Sequence, residues 1–282
     1  MQNQPTKWIV ITGCSSGIGR SLVWAMRRQG WGVIATARRL ESLIDLPDGE
    51  DIVRVALDVL SDESVSLVVQ QYQHLRIVGL INNAGYGQVG PLEYITTQEL
   101  RNQMETNVMG LHRVTNYFLP LIRRNAHPGE GRIVHIASML GRVSIPLGGA
   151  YSASKYAVVS LGEALRMELA PDIKVILVEP GAVRTELRNT ATKVWGDLPR
   201  RVKGTRYEAI LNRYLSFGKE VSQRWARDPD RSAEKIAKAI NSIHPPRRVL
   251  IGPDAHIVLI LKKLIPMSWY EALAQKIYGL KH

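Results

Sequence analysis

Lys7-Trp8-Ile9-Val10-Ile11-Thr12-Gly13-Cys14-Ser15-Ser16-Gly17-Ile18-Gly19 reads as a buried strand that runs through a glycine-rich turn into a helix. The apolar run Trp8 to Ile11 suits a strand covered on both faces. The glycines let the chain turn tightly and let a ligand approach the backbone. The helix is expected from Ile18 to Gln29, with Gly30 as its stop. A helix that starts from such a turn offers unpaired N–H groups and the positive end of its dipole, which suits a phosphate. The spacing departs from the Gly-x-Gly-x-x-Gly fingerprint of dinucleotide-binding turns, so a plain structural turn is the competing reading.

Outward from this stretch the same rhythm repeats. Strands are expected at Gly32 to Ala37, at Ile52 to Leu57 (ending at Asp58), at Val78 to Asn82 (followed by Ala84-Gly85) and at Arg132 to Ala137. Two more are expected at Ile173 to Val178, stopped by Pro180-Gly181, and at Arg248 to Ile251. Helical patterns fill Thr97 to Arg124, with a bend or break near Pro120, then Gly149 to Leu169 and Arg231 to Ile243. Apolar strands alternating with helices predict a doubly wound α/β fold with a parallel sheet covered on both faces, as one domain over residues 1–282. Residues 186–230 interrupt the pattern with Trp195, Tyr207, Tyr214, Phe217 and Trp225, and are read as an insertion over the carboxyl edge of the sheet. Residues 254–282 are read as an amphipathic tail of two short helices broken at Pro266.

Composition narrows the class. The chain has 282 residues, 45% hydrophobic and 22% charged, which suits a globular protein with a large core. One cysteine, Cys14, rules out an intrachain disulfide and suits a reducing, cytoplasmic setting. The first strand begins so early that no leader peptide is expected before it. The apolar run Ile257 to Leu261 is too short to span a bilayer. The net charge is +12, spread over pairs such as Arg27-Arg28, Arg38-Arg39 and Lys262-Lys263. No nucleic-acid-binding signature accompanies it, and no His, Cys and carboxylate residues have metal-ligand spacing.

Tyr151 and Lys155, in Tyr151-Ser152-Ala153-Ser154-Lys155, share one face of a helix. An ammonium held beside a phenol is expected to lower the tyrosine pKa from its usual value of about 10, so that the group can exchange protons with an alcohol or a carbonyl. Ser138, at a strand end, can hydrogen-bond a substrate oxygen as charge develops on it. Cys14 and His135 are read as packed core groups.

With these elements in order, the chain resembles the short-chain dehydrogenase/reductase family from about Lys7 to Ile251. The residues that carry the resemblance are the Thr-Gly-x-x-x-Gly-x-Gly turn at Thr12 to Gly19, Asn82-Asn83-Ala84-Gly85, the set Asn107, Ser138, Tyr151 and Lys155, and Pro180-Gly181. The wording Thr-Gly-Cys-Ser-Ser-Gly-Ile-Gly is similar to the hydroxysteroid/retinol dehydrogenase branch and to bacterial aldehyde and ketone reductases. The resemblance implies a Rossmann-type sheet with Tyr151 as acid/base, Lys155 supporting it, Ser138 on the substrate oxygen and Asn107 holding a water that extends the proton relay. It further implies a nucleotide cofactor at Gly13, Ser15, Ser16, Gly17, Ile18, Gly19, Asn82, Ala84, Gly85, Tyr151, Lys155, Pro180, Gly181 and Val183, with Thr185 on the nicotinamide carboxamide. Asp58 matches the position that bonds the adenine amino group, a helix cap before Ser61 being the alternative.

The end of the second strand reads Thr36-Ala37-Arg38-Arg39, without the acid that would bind the ribose hydroxyls of NAD. Arg38 instead offers a cation to a 2′-phosphate, with Ser15 adding a hydrogen bond, so NADP(H) is the expected cofactor. Apolar residues around Tyr86, Met139, Leu140, Leu147 and the insertion predict a lipophilic ketone, aldehyde or alcohol as the small-molecule partner, and a homo-oligomer is expected. The rival readings are a non-catalytic NADP-binding regulator and a lyase or isomerase on the same scaffold. The apolar tail either packs on the domain or a second subunit, or meets a membrane surface peripherally.

Overall fold

The computed structural model describes residues 5–184, 194 and 196–280, with the side chains of 217–224 outside that description. Seven strands form one parallel sheet: β1 Trp8–Ile11, β2 Gly32–Ala37, β3 Ile52–Ala56, β4 Ile77–Asn82, β5 Gly131–Ile136, β6 Ile173–Pro180 and β7 Arg248–Ile251. Their order is β3-β2-β1-β4-β5-β6-β7. The sheet is therefore doubly wound from β1, which pairs with β2 at Ile9↔Val33 and with β4 at Ile9↔Gly79. The order reverses between β1 and β4, and the carboxyl edge at such a switch point is where open α/β sheets bind ligands.

Alternation along β1 supplies both faces of the core. Ile9 and Ile11 pack with Leu22 and Met26 of helix α1 (Gly17–Arg28) and with Ile236 and Ile240 of helix α8 (Pro229–Asn241). Trp8 and Val10 face the other way, toward Val114, Phe118 and Ile122 of helix α4 (Gly110–Asn125). Helix α1 ends with Arg27 and Arg28 in its last turn, a favourable place for cations, and Gly30 follows at φ +80° as its stop. The basic pair Arg27-Arg28 is engaged at the surface: Arg27 with Asp51 at 2.5 Å and Arg28 with Glu234 at 2.5 Å.

The remaining helices are α2 Asp62–Tyr72, α3 Thr97–Met104, α5 Gly149–Glu168, α6 Leu198–Val202, α7 Arg206–Arg224, α9 Pro253–Leu264 and α10 Met267–Tyr278. Helix α2 carries no strong apolar stripe and is absent from the sequence reading; Ser61 caps it by accepting from the Ser64 N–H. The long helix near residue 100 differs from expectation. A capping box of Thr96 and Glu99 starts α3, and the helix then widens into a π-helical segment, Glu105–Met109, before α4. Pro120 lies inside α4 without ending it. The interruption sits where Asn107 must reach the sheet edge, about three turns before the proline.

The insertion is more ordered than its polar sequence suggests. Leu198, Val202, Ile210 and Leu211 form a small core with Val89 and Leu147, and Tyr207 stacks edge-on against Tyr94 with ring centroids 5.6 Å apart. Arg201 ties this layer to α3 through Glu99 at 2.5 Å. Trp195 and the Phe217 side chain lie outside the described residues. The tail folds as two helices that meet at Pro266.

Candidate functional site

The carboxyl edge of the sheet opens into a cavity of about 360 Å³, within the range of small-ligand sites. At its first end, Thr12 links β1 to the end of β4: its Oγ1 accepts from the Asn83 and Ala84 N–H groups, both at 3.0 Å. The Asn83 amide donates to the Thr12 and Gly13 carbonyls at 2.9 Å. Gly13 and Gly17 adopt φ of +71° and +57°, in the left-handed region where a side chain is disfavoured. A Cβ on Gly19 would lie 2.3 Å from the Gly13 carbonyl oxygen, so Gly19 serves packing and does not itself line the cavity. Gly13, Ser15, Ser16, Gly17 and Ile18 do line it. No side chain caps the N-terminus of α1 and its first turn holds no acid. An open helix N-terminus beside a bare glycine turn fits the diphosphate of a dinucleotide.

Another part of the cavity wall is formed by Ala37, Arg38, Leu57, Asp58 and Val59. Asp58 Oδ1 accepts from the Leu60 N–H at 3.0 Å, while Ser61 does the helix capping, so Asp58 remains a wall residue. Arg38 is exposed and has no ion-pair partner among the described residues. Asn82 is a correction. Its side chain is buried behind the cavity, donating to Thr115 Oγ1 at 2.9 Å and lying 3.2 Å from His135 Nδ1. Its neighbour Asn83, together with Ala84 and Gly85, faces the cleft.

The cavity is also lined by Ser138, Tyr151 and Lys155 and by Pro180, Gly181 and Val183; Ser138 Oγ donates to the Pro180 carbonyl at 3.4 Å. Helix α5 presents Tyr151 and Lys155 on one face, and a short turn after β5 presents Ser138. Ser138 Oγ accepts from the Leu140 N–H at 3.1 Å. Lys155 is buried and donates to the Ile136 carbonyl at 2.7 Å; its ammonium lies 5.7 Å from the Tyr151 ring centroid. Burial lowers the Lys155 pKa to about 8. The expected drop in the Tyr151 pKa is not what the structure gives. Burial pushes the phenol up to about 12, the hydrogen bond with Ser138 pulls it down, and Tyr214 of α7 pushes it up further. Desolvation dominates here, and the phenol is a neutral proton donor at neutral pH.

Asn107 does not line the cavity. Its side-chain amide is spent on structure: Oδ1 accepts from the Tyr86 N–H at 3.0 Å, and Nδ2 donates to the Tyr86 carbonyl at 2.9 Å and to Ser154 Oγ at 3.0 Å. It thereby clamps the loop after β4 to α5, and Thr106 from the π-helical segment reaches the cavity instead. In that loop a Cβ on Gly87 would lie 3.6 Å from the Tyr151 ring, so the backbone covers one side of the phenol. Tyr86 lines the cavity, whereas Leu147, held at φ +62°, packs into the insertion core. Thr185 lies outside the described residues.

Three features absent from the sequence reading support the site. Glu179 is fully buried between Arg142, at 3.3 Å, and Arg248, steadying the turn that carries Ser138. Asp254, at the start of α9, accepts from the Ala182 N–H at 2.6 Å. Farther along the tail, Lys262 donates to the Arg142 carbonyl and to Tyr156 Oη, the latter at 3.1 Å, and Tyr270 Oη donates to the Ser144 carbonyl at 3.0 Å. Buriedness alone signals Glu179, since a carboxylate in an apolar strand is rare unless paired.

Cys14 and His135 behave as core groups. Cys14 is fully buried and its thiol is pushed up to about 12, away from nucleophilic chemistry. His135 is buried beside Asn82 and its pKa falls to about 4. No cluster of metal-ligating side chains occurs among the described residues.

Residues 7–194 match the family described as short chain dehydrogenase. The chain is 33% identical over 273 residues to an uncharacterized oxidoreductase, YbbO, of Escherichia coli (strain K12), covering 95% of this chain and 94% of that protein. It is 32% identical over 282 residues to retinol dehydrogenase 16 of Rattus norvegicus, covering 95% and 87%. Among solved structures, a short-chain dehydrogenase from Streptomyces avermitilis superposes with a TM-score of 0.73 at 33% identity, covering 96% of this chain and 99% of that one.

Proposed function

The chain belongs to the short-chain dehydrogenase family and is an oxidoreductase, and from that premise we propose that it uses NADP(H) to interconvert a lipophilic ketone or aldehyde and its alcohol. The observation that carries the reading is the convergence of Ser138, Tyr151 and Lys155 at one end of a cavity whose other end is a bare helix N-terminus. The nicotinamide, when bound, would supply or accept the hydride. Gly13, Ser15, Ser16, Gly17 and Ile18 would hold the diphosphate, and Asp58 and Val59 would bound the adenine. Pro180, Gly181 and Val183, with Thr185 by resemblance, would border the nicotinamide.

The neutral Tyr151 phenol donates its proton to the carbonyl oxygen during reduction and, as phenolate, takes it back during alcohol oxidation. Ser138 Oγ–H hydrogen-bonds that same oxygen and stabilises the charge that develops on it. The buried Lys155 ammonium, fixed on the Ile136 carbonyl, favours the phenolate as the proton leaves. Asn107 fixes the loop that covers Tyr151 and so orients the phenol.

The preference for NADP(H) is supported by Arg38, an exposed guanidinium at the cavity wall with no ion pair among the described residues. The lipophilic substrate is supported by Tyr86 and by the apolar layer of Val89, Leu147, Leu198 and Ile210 beside the loop over Tyr151. The relative named for retinol agrees with such a substrate. A cytoplasmic, homo-oligomeric enzyme completes the proposal. The test is oxidation of NADPH and NADH by the purified protein over aldehydes and ketones of graded size. Turnover should favour NADPH and rise with the apolar bulk of the carbonyl. NADPH binding without oxidation on any member of the panel would favour a regulator, and product formation without stoichiometric NADPH loss would favour a lyase or isomerase.

A further inference from the structure

The two tail helices have an inner and an outer side. On the inner side Lys262 reaches Tyr156 Oη and the Arg142 carbonyl, Tyr270 reaches the Ser144 carbonyl, and Arg213 of α7 donates to the Ile277 carbonyl at 2.9 Å. The helices are thus seated on the domain. On the outer side, the corner between them exposes Leu264 at 74%, Met267 at 53% and Trp269 at 67%. One turn back, Ile260 is exposed at 57%. Single exposed apolar residues are ordinary, but no other stretch of comparable length among the described residues exposes as many. A tail already bolted down on one side, with its largest apolar groups turned outward at a corner, has a second partner to meet.

We propose that this corner docks the protein on the surface of an anionic lipid bilayer. Charge selects this occupant. Lys263 flanks Leu264 on the exposed side of α9, and Lys276 stands on the exposed side of α10 among Trp269 and Leu273, with Glu271 the one exposed carboxylate of these two helices. Asp254, the other acid here, is turned inward to the Ala182 N–H. The whole chain carries +12. An apolar wedge with a tryptophan at its rim and lysines beside it suits the headgroup boundary, where the indole and the lysine stems are amphipathic, and anionic headgroups attract each nearby lysine. No helix among the described residues is long and apolar enough to cross a membrane, so the contact is peripheral.

The test is co-sedimentation of the full chain with phosphatidylcholine vesicles, with and without phosphatidylglycerol, at low and high salt. Wild-type protein should pellet with the phosphatidylglycerol vesicles at low salt and be released by salt. The double variant Leu264→Glu with Trp269→Glu should lose at least about ten-fold in partitioning, and Lys263→Glu about five-fold or more. Both variants should keep wild-type NADPH turnover on a water-soluble carbonyl, so failure here is distinguishable from failure of the proposed chemistry. Absence of wild-type binding at low salt, equal binding to both vesicle types, or unchanged binding of the double variant overturns the proposal. So does light scattering that finds a dimer which the double variant dissociates, because a second copy would then cover the corner.

Discussion

Arg38→Asp tests the proposed cofactor preference, because the Arg38 side chain makes no hydrogen bond or ion pair among the described residues. It is exposed and without an ion pair among the described residues, so the substitution should change stability by no more than about 0.5 kcal/mol. Its loss of function should come from the ligand. A hydrogen bond to a charged group contributes about 1.5–3 kcal/mol, or roughly a ten- to hundred-fold change in affinity. Solvent screening at this open end of the cavity favours the lower part of that range. The aspartate also repels a 2′-phosphate and can accept from a ribose hydroxyl, so NADH should gain while NADPH loses. The assay is kcat/KM for both cofactors with one carbonyl substrate. In the wild type NADPH should be preferred, the variant should reverse or erase the preference mainly through KM, and the wild-type preference should shrink as salt rises. Equal kcat/KM for the two cofactors in the wild type, or an unchanged ratio in the variant, would refute the reasoning.

Tyr151→Phe should lower kcat by about 10²–10⁴-fold and leave NADPH affinity, measured by fluorescence titration, within a few-fold; retained turnover would remove Tyr151 from the acid/base role. Because the phenol is held up at about 12 and the Lys155 ammonium is lost near 8, carbonyl reduction should be steady up to neutral pH and weaken as pH rises past about 8, while alcohol oxidation gains phenolate only well into alkali, and Ser138→Ala, which removes the hydrogen bond that lowers the phenol pKa, should move the oxidation profile further up in pH as well as slow it. His135, lowered to about 4 from 6.5 by burial, binds a proton more readily when unfolded. Its contribution to stability is therefore fully present above pH 6.5 and is lost as pH falls toward 4; thermal melts of His135→Gln should show a flatter acid limb, and an identical limb would falsify this assignment.

The alternation of apolar strands and helices made the parallel sheet legible, because buried strands and capped helices are local patterns. The grouping of the three proposed catalytic residues was legible too: Tyr151 and Lys155 lie on one helix face and Ser138 at a strand end, and all three line the cavity. What escaped was long-range. Asn82 and Asn83 are adjacent, and only the pleat of β4 decides that the first turns toward Thr115 and the second toward the glycine turn. Strand parity could have found this. A bend or break was expected near Pro120 because proline is the visible breaker, whereas the helix widens at Glu105–Met109, where Asn107 contacts Tyr86 and Ser154. The acidity of Tyr151 was misjudged in sign because helix spacing shows the neighbouring ammonium but not the burial that opposes it.

The contacts that hold the tail beside the turn carrying Ser138 are made mostly to the main chain: the carbonyls of Arg142 and Ser144 and the N–H of Ala182, with Tyr156 as the side-chain exception. Every residue type but proline offers that N–H, and all offer the carbonyls. The side chains at 144 and 182 can therefore be exchanged without unfastening the tail, whereas Arg142 must be kept for its pair with buried Glu179. These two positions are free to drift, or to be re-engineered by loop grafting, while the main-chain contacts of the tail stay the same.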